Sequence, residues 1–170
     1  MCGVSSFPER QDATRQCHAT APNGQRVALK ILSTEAKEDS AWLRRFLMEE
    51  WIARRLDSSN ELKPAPAPES RSSLYVLTEF VERQTLRQWM ADQESVSLIQ
   101  FRGIMGQAIG GLRAFHRKQM LHQDLRPENL MIDADGTVKI IDCGVTRVEH
   151  PKGDRAKVEM SGKYLSYNAW

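Results

Sequence analysis

The sequence predicts an α+β fold in which strands dominate the first half of the chain and helices the second. Three observations support this prediction: a β-prone run over 25–32, an amphipathic helical pattern over 41–56 and a longer helical pattern over 97–118. The chain has 170 residues, of which 41% are hydrophobic and 27% charged. This composition is typical of one modest globular domain, or of a small lobe and part of a second.

Strands are expected near the N-terminus. An Asn-Gly pair at 23–24 favours a tight turn, so the run over 25–32 should pair with a strand over 14–20. The mostly apolar run over 74–81 predicts a further strand that is buried on both faces or nearly so. The stretch 58–73 contains three prolines, which favours a surface connection with one short extended piece.

The rest of the chain is predicted to be mainly helical. Helices are expected over 41–56, 85–91 and 97–118, and two short strands over 130–132 and 138–141 should form a hairpin. The longest helix contains four glycines, each of which costs up to ~1 kcal/mol relative to alanine. Burial must therefore stabilise this helix, and the glycines suggest close helix packing.

Charge and cysteine content exclude several classes of protein. The 24 basic and 22 acidic residues give a formal net charge of +2, which argues against a nucleic-acid partner. The three cysteines are widely spaced, so neither a disulfide framework nor a zinc site is expected, and a reducing cytoplasmic location fits best. The sequence has neither a secretory pattern nor an apolar run long enough to span a membrane.

Polar residues in a fixed order suggest phosphoryl transfer. The segment 122–129 reads H-Q-D-L-R-P-E-N, and a second acidic turn, D-C-G, begins at Asp142. Asp142 and Asn129 offer oxygen ligands for Mg²⁺, and Asp124 can accept the proton of an acceptor hydroxyl. Arg126 could neutralise the γ-phosphate during transfer.

The same residues resemble the motifs of protein kinases. The segment 122–129 is similar to the kinase catalytic loop, and the V-A-L-K sequence that ends at Lys30 is similar to the β3 lysine motif. An F-x-x-E pattern makes Glu49 the expected ion-pair partner of that lysine, with Glu50 as second choice. The resemblance covers about residues 14–145, with the motifs in kinase order.

The resemblance implies a protein-kinase-like fold with ATP and Mg²⁺ as cofactors. It assigns the α- and β-phosphates to Lys30, the orientation of Lys30 to Glu49, the base to Asp124, and Mg²⁺ to Asn129 and Asp142. The implied architecture is an N-terminal lobe of antiparallel sheet with one helix, followed by the first part of a mainly helical lobe.

The resemblance also implies an adenine site between the two lobes. Its expected residues are Ala28, Thr78, Glu79, Val81 and Met131. Thr78 would be the gatekeeper, the segment 79–82 would hold adenine by backbone hydrogen bonds, and Ala28 and Met131 would lie above and below the ring. The expected lobes are 1–81 and 82–170.

Several residues depart from the kinase pattern. The stretch 9–15 contains no glycine where kinases carry a Gly-rich phosphate loop, so that loop is degenerate. Gln123 replaces the usual arginine, so control through a phosphorylated activation loop is not expected. Cys143 replaces the usual phenylalanine and is expected to be a small buried residue that weakens the apolar contact with the helix carrying Glu49.

The C-terminal part is expected to be a truncated kinase lobe. Only a short segment follows Gly144, and the stretch 161–170 faintly resembles the sequence before the kinase Ala-Pro-Glu anchor. The long helix should therefore expose apolar surface, which predicts marginal stability, self-association or dependence on a partner. The wording of the motifs is most similar to the kinase half of bacterial bifunctional serine/threonine kinase–phosphatases.

Three functions are compatible with these motifs. The favoured one is ATP- and Mg²⁺-dependent phosphorylation of protein serine or threonine hydroxyls, with the protein substrate unknown. The main alternative is a nucleotide-binding or inactive pseudokinase fragment that acts as an interaction module. A small-molecule kinase of the aminoglycoside-phosphotransferase type shares an H-x-D-x-x-x-x-N loop, but the V-A-L-K and R-P-E sequences are more similar to protein kinases.

Overall fold

The computed structural model describes residues 5–6, 14–21, 23–66 and 74–148, and it confirms the α+β fold. The strands of these residues form antiparallel sheets of four, three and two strands. The four-stranded sheet belongs to the N-terminal part of the chain, and most of the helical residues follow it. The division into lobes at residue 81 stays a prediction, as do the expectations for 9–13 and 161–170, which lie outside the described residues.

The four-stranded sheet has the predicted hairpin at its centre. Its strands lie in the order β1-β2-β3-β4, with bounds Ser5–Ser6, Thr14–Thr20, Arg26–Leu32 and Tyr75–Glu79. Strands β2 and β3 pair along their whole length, with Thr14 opposite Leu32 and Thr20 opposite Arg26, which confirms the hairpin. Gly24 in the turn has a φ of +83°, a conformation that favours glycine.

Strand β4 is shorter and more exposed than predicted. It ends at Glu79, and only Val76 and Thr78 are buried, so the expectation of burial on both faces was wrong. On one face of the strand Val76 packs in an apolar cluster, whereas the alternate residues on the other face remain partly accessible to solvent. The preceding segment is extended as predicted, since Ala65 N–H donates to the carbonyl of Leu77 and Glu79 N–H to that of Lys63.

Among the described residues between β3 and β4 there are two helices, where one was predicted. They are α1, Thr34–Glu38, and α2, Ser40–Ala53. Asp39 separates them and accepts hydrogen bonds from Ala41 and Trp42 N–H, so its side chain caps α2. Helix α2 ends three residues before the predicted end and turns Phe46, Glu49 and Ile52 toward the interior.

The second part of the chain follows the predicted order of elements. It contains β5, Gln84–Thr85; α3, Leu86–Ala91; α4, Leu98–Arg117; β6, Met120–Leu121; a 3-10 helix, Pro127–Asn129; β7, Leu130–Ile132; β8, Val138–Ile140; and β9, Arg147–Val148. Capping boxes start α3 and α4. Strands β5, β7 and β8 form one sheet, and β6 pairs with β9.

The main core joins both parts of the chain. Ile52 of α2, Phe115 of α4 and both Val138 and Ile140 of β8 belong to one cluster of buried side chains. The outer side of α4 is apolar but uncovered: Leu98, Ile99, Phe101 and Ile109 are exposed. This exposure agrees with the expectation for the long helix, while self-association stays a prediction. None of the helices in the described ranges is both long and apolar enough to cross a bilayer.

The glycines of α4 differ in their surroundings. A Cβ on Gly111 would lie 2.7 Å from Cδ1 of Ile140 and 3.1 Å from the carbonyl oxygen of Asn60, whereas none of the described atoms is within 4 Å of one on Gly106. The predicted close packing is therefore correct at Gly111, but the neighbours are β8 and the loop around residue 60, and not another helix.

We expect Gly111→Ala to lower the free energy of unfolding by about 1–3 kcal/mol through overpacking. Gly106→Ala should raise it by up to about 1 kcal/mol, because alanine favours the helix and meets no atom. Urea unfolding of both variants tests this pair. Equal effects of the two substitutions would contradict the close approach of α4 to β8.

Candidate active site

The site begins with an ion pair between β3 and α2. Nζ of Lys30 lies 2.8 Å from Oε2 of Glu49, so the structure brings the predicted pair together. Both side chains are largely buried. Glu50, the second candidate, pairs instead with Arg54, at 2.7 Å between Oε1 and Nη2.

The charges around Lys30 favour its ammonium form. Burial lowers the pKa of Lys30, but the carboxylates of Glu49 and Asp142 raise it, and the net pKa lies above its ordinary value. Burial also raises the pKa of Glu49, and the neighbouring ammonium opposes that shift. The short contact between the two groups is that of an ion pair.

Asp142 is the second acidic neighbour of Lys30. Its Oδ1 lies 3.7 Å from Nζ of Lys30 and accepts a hydrogen bond from Gly144 N–H at 3.3 Å. The φ of Asp142 is +59°, in the left-handed region that non-glycine residues rarely adopt. The turn is therefore held in an uncommon conformation that points the carboxylate at Lys30.

Cys143, next to Asp142, faces away from the site into the main core. Its thiol is buried, and burial together with the nearby carboxylates raises its pKa well above the ordinary value. The residue shares its cluster with Ile52 of α2, so the turn and that helix are still joined by apolar contact. The expectation of a small buried residue at this position agrees with the structure.

The loop between β6 and β7 holds Asp124 and Asn129 together. Nδ2 of Asn129 donates to the carbonyl oxygen of Asp124 at 2.8 Å and to its Oδ2 at 3.0 Å. Ile141 N–H donates to the carbonyl of Asn129, which ties this loop to the strand before Asp142. Gln123 has a φ of +65°, so a second uncommon backbone conformation precedes Asp124.

His122 is a buried residue that supports the loop. Its ring meets that of Phe115 edge-on at 5.3 Å between centroids, and its Nδ1 accepts from Asp124 N–H at 3.4 Å. Burial lowers its pKa, against smaller raising contributions from the Ile141 backbone and nearby carboxylates. The imidazole is therefore neutral near pH 7.

These side chains meet in one cleft. A cavity of about 250 Å³ is lined by Lys30, Glu49, Asp124 and Asp142. Arg45 also lines the cavity, so two cationic side chains face three carboxylates, and the remaining excess of negative charge favours a divalent cation.

The oxygen atoms around the cleft suit Mg²⁺. Asn129 donates its amide nitrogen to Asp124, so its Oδ1 is the atom that could bind a cation, although Asn129 is not among the residues that line the cavity. Within the described ranges no group of three His, Cys, Asp or Glu side chains could hold a metal. Mg²⁺ usually takes one or two protein oxygens and completes its shell with water and phosphate.

Arg126 is not among the residues that line the cleft. Its side chain is exposed, and its Nε lies 3.1 Å from Oε2 of Glu128, which neutralises it locally. The structure therefore does not place Arg126 with Lys30 and Asp142. Its expected action on the γ-phosphate stays a prediction.

The expected adenine residues are divided between the four-stranded sheet and the second sheet, and none of them lines the described cavity. Ala28 is directly opposite Thr78 in the pairing of β3 with β4, and Val81 is buried just beyond β4. Met131 lies in β7 and therefore in the other sheet. The side chain of Glu79 and its backbone N–H are both already bonded within the protein, so neither is free for a nucleotide.

Two buried charged residues near the site were missed in the sequence. Glu61 is buried beside Ile140, and Lys139 is buried in the middle of β8. A lysine between valine and isoleucine in a predicted short strand is a usable signal for a buried ion pair. The sequence around Glu61 gives no such signal, because the burial of this residue depends on how the loop around residue 60 folds.

An ammonium for phosphates, oxygen ligands for Mg²⁺ and a carboxylate beside the acceptor are the parts that phosphoryl transfer uses. Fold and site together therefore define a phosphotransferase-like domain of kinase type. The family model described as Protein kinase domain matches residues 14–168. The chain belongs to the protein kinase family.

Curated relatives of the chain carry the names of serine/threonine-protein kinases. PknA of Corynebacterium glutamicum is 30% identical over 130 residues, which cover 74% of this chain and 28% of that protein. PrkC of Bacillus subtilis is 30% identical over 119 residues, 70% of this chain and 18% of that protein. The plant SNF1-related protein kinase catalytic subunit alpha KIN12 of Arabidopsis thaliana is 28% identical over 127 residues, which cover 75% of this chain and 26% of that protein.

The chain thus spans less than a third of the length of these relatives. The residues matched by the family model include the ion pair, the catalytic loop and the acidic turn. The closer likeness to bifunctional kinase–phosphatases is not carried by these names and stays a prediction.

Proposed function

We propose that this chain transfers the γ-phosphoryl group of ATP, with Mg²⁺, to serine or threonine hydroxyls of a protein substrate. The observation that carries the proposal is the convergence of Lys30, Glu49, Asp124 and Asp142 on one cleft. Family membership supports the reaction class, and the names of the relatives support serine or threonine as acceptor.

Each side chain has a defined task in this proposal. Lys30, held by Glu49, binds the α- and β-phosphates as a fixed cation. Asp124 lies in the loop anchored by Asn129 and accepts the proton of the acceptor hydroxyl. Mg²⁺ on Asp142 and Asn129 would offset the charge of the phosphates.

The same features support the proposal of an active enzyme in the cytoplasm. Lys30 and Asp142 are intact and paired, which supports an active enzyme over an inactive interaction module. We propose a cytoplasmic location, where ATP is available and the free thiol of Cys143 stays reduced. The aminoglycoside-phosphotransferase alternative has no observation in its favour.

We expect saturating Mg·ATP to raise the melting temperature of the chain by on the order of 5 to 10 °C, because a ligand that binds only the folded state stabilises it by mass action. Lys30→Ala and Asp142→Asn should abolish the shift, since they remove the phosphate and metal contacts. The matched controls Lys37→Ala and Asp92→Asn change exposed residues outside the cleft and should retain it. A shift without Mg²⁺ dependence, or one that survives Asp142→Asn, would contradict the assigned metal site.

A further inference from the structure

Lys139 is a charged residue in an otherwise apolar strand. Its neighbours Val138 and Ile140 are fully buried in the main core, and Lys139 itself is 7% exposed. A buried ammonium lowers stability unless it is paired and hydrogen-bonded. The partners of Lys139 must therefore offset the cost of burying its ammonium group.

The partner of Lys139 is the last residue of β4. Nζ of Lys139 lies 2.9 Å from Oε1 of Glu79 and 3.5 Å from the carbonyl oxygen of Ser59. The same Oε1 accepts from Lys63 N–H at 2.8 Å, and Glu79 N–H donates back to the Lys63 carbonyl at 2.9 Å. Glu79 is thus fixed by its backbone and its side chain at the point where the proposed adenine segment begins.

The segment around residue 60 connects this pair to the rest of the site. Nδ2 of Asn60 donates to the carbonyl of Val138 at 2.9 Å, and Ile140 N–H donates to the carbonyl of Asn60 at 2.9 Å. This segment follows α2, which carries Glu49, while β8 ends just before Asp142. The ion pair of Lys139 and Glu79 is therefore connected through β4 to the adenine segment, through the segment around residue 60 to α2, and through β8 to the acidic turn.

A second contact to the adenine segment comes from β3, in the four-stranded sheet. Arg26 lies 4.0 Å above the ring of Phe80, and its Nη1 is 3.0 Å from Oε1 of Glu82. Both charged side chains of this second pair are about half exposed, so it contributes little. The pair of Lys139 and Glu79 is much more buried.

We propose that Lys139 is a positioning residue for the nucleotide: through Glu79 it fixes the start of the segment 79–82 and its distance from Asp142 and Glu49. A directional ion pair defines one geometry, which an apolar pair of similar size would not do. Lys139 does not touch the nucleotide in this proposal. The inference rests on the proposed function, because it assigns the adenine to that segment.

The test compares Lys139→Met, Lys139→Arg and Glu79→Gln with the unaltered chain in Mg·ATP binding and in steady-state kinetics. We expect Lys139→Met to raise both the Kd and the KM for ATP about tenfold with a smaller change in kcat, whereas Lys139→Arg stays within about threefold. The double variant Lys139→Met/Glu79→Gln should be less impaired than the two single effects combined, because both remove one interaction.

Leu112→Ala is the control for stability alone, since Leu112 packs against the main core from α4 and lies outside the cleft. An equal rise of the ATP Kd in Leu112→Ala and Lys139→Met would overturn the positioning role, as would an unchanged Kd in Lys139→Met. If Lys139→Met does not fold, Glu79→Gln decides, because it keeps an acceptor for Lys63 N–H and removes only the charge. Failure of the unaltered chain to bind Mg·ATP would overturn the proposed function itself, and this inference with it.

Discussion

Replacing Asp124 with asparagine is expected to lower kcat for phosphoryl transfer by about 10²- to 10⁴-fold while the affinity for Mg·ATP stays nearly unchanged. The amide cannot accept the proton of the acceptor hydroxyl. It still fits the loop, because one of the two bonds from Asn129 goes to the backbone carbonyl of Asp124, which the substitution keeps. The loss should therefore appear in the chemical step and not in binding.

Transfer of radiolabelled γ-phosphate to a generic basic protein or to the chain itself measures this loss, and the melting-temperature shift with Mg·ATP measures binding. Asp135→Asn is a suitable control, because Asp135 lies in the exposed turn between β7 and β8. A variant that keeps kcat within a few fold of the unaltered chain would exclude Asp124 as the base.

Glu61→Gln is expected to increase the free energy of unfolding at neutral and alkaline pH. The side chain of Glu61 is 3% exposed, its Oε1 has no hydrogen-bond partner among the described residues, and burial raises its pKa from 4.5 to about 8. Ionisation of this carboxyl in the folded state is therefore unfavourable, and glutamine removes that cost. The gain at about pH 7 should be on the order of 1–3 kcal/mol.

The sign of the pH dependence follows from proton binding. Between about pH 4.5 and 8 the folded state holds a proton on Glu61 that the unfolded state has released, so this group makes stability fall as the pH rises. The advantage of Glu61→Gln should thus be small near pH 4.5, grow through neutrality and level off above about pH 8. Urea unfolding of both proteins across this range measures the difference. An advantage that does not change with pH would show that Glu61 is ionised in the folded state.

Most of the secondary structure was predictable because it depends on local sequence. The hairpin at Gly24, the capping of α2 by Asp39, and the start and end of α4 all follow from turn, cap and periodicity signals. The extra helix α1 was missed because five residues give too little periodicity to recognise. Strand β4 was overestimated, since an apolar run does not reveal which side of a sheet remains uncovered.

Much of the candidate site was also predictable, but from the spacing of motifs and not from local secondary-structure signals. Lys30, Glu49 and Asp142 belong to motifs of fixed spacing, and the structure brings them together. The pairing of Arg126 with Glu128 and the burial of Glu61 depend on how loops fold in three dimensions. No spacing rule carries that information, so these features became visible only in the structure.

The buried thiol of Cys143 has a practical consequence for inhibitor chemistry. Covalent compounds react with thiolates, and a sulfur atom that is enclosed in the core beside three carboxylates rarely ionises. An acrylamide or similar electrophile placed in the cleft would find no nucleophile at this position, although the sequence places a cysteine next to Asp142. Compounds for this site would therefore depend on reversible contacts with the ion pair and the acidic turn.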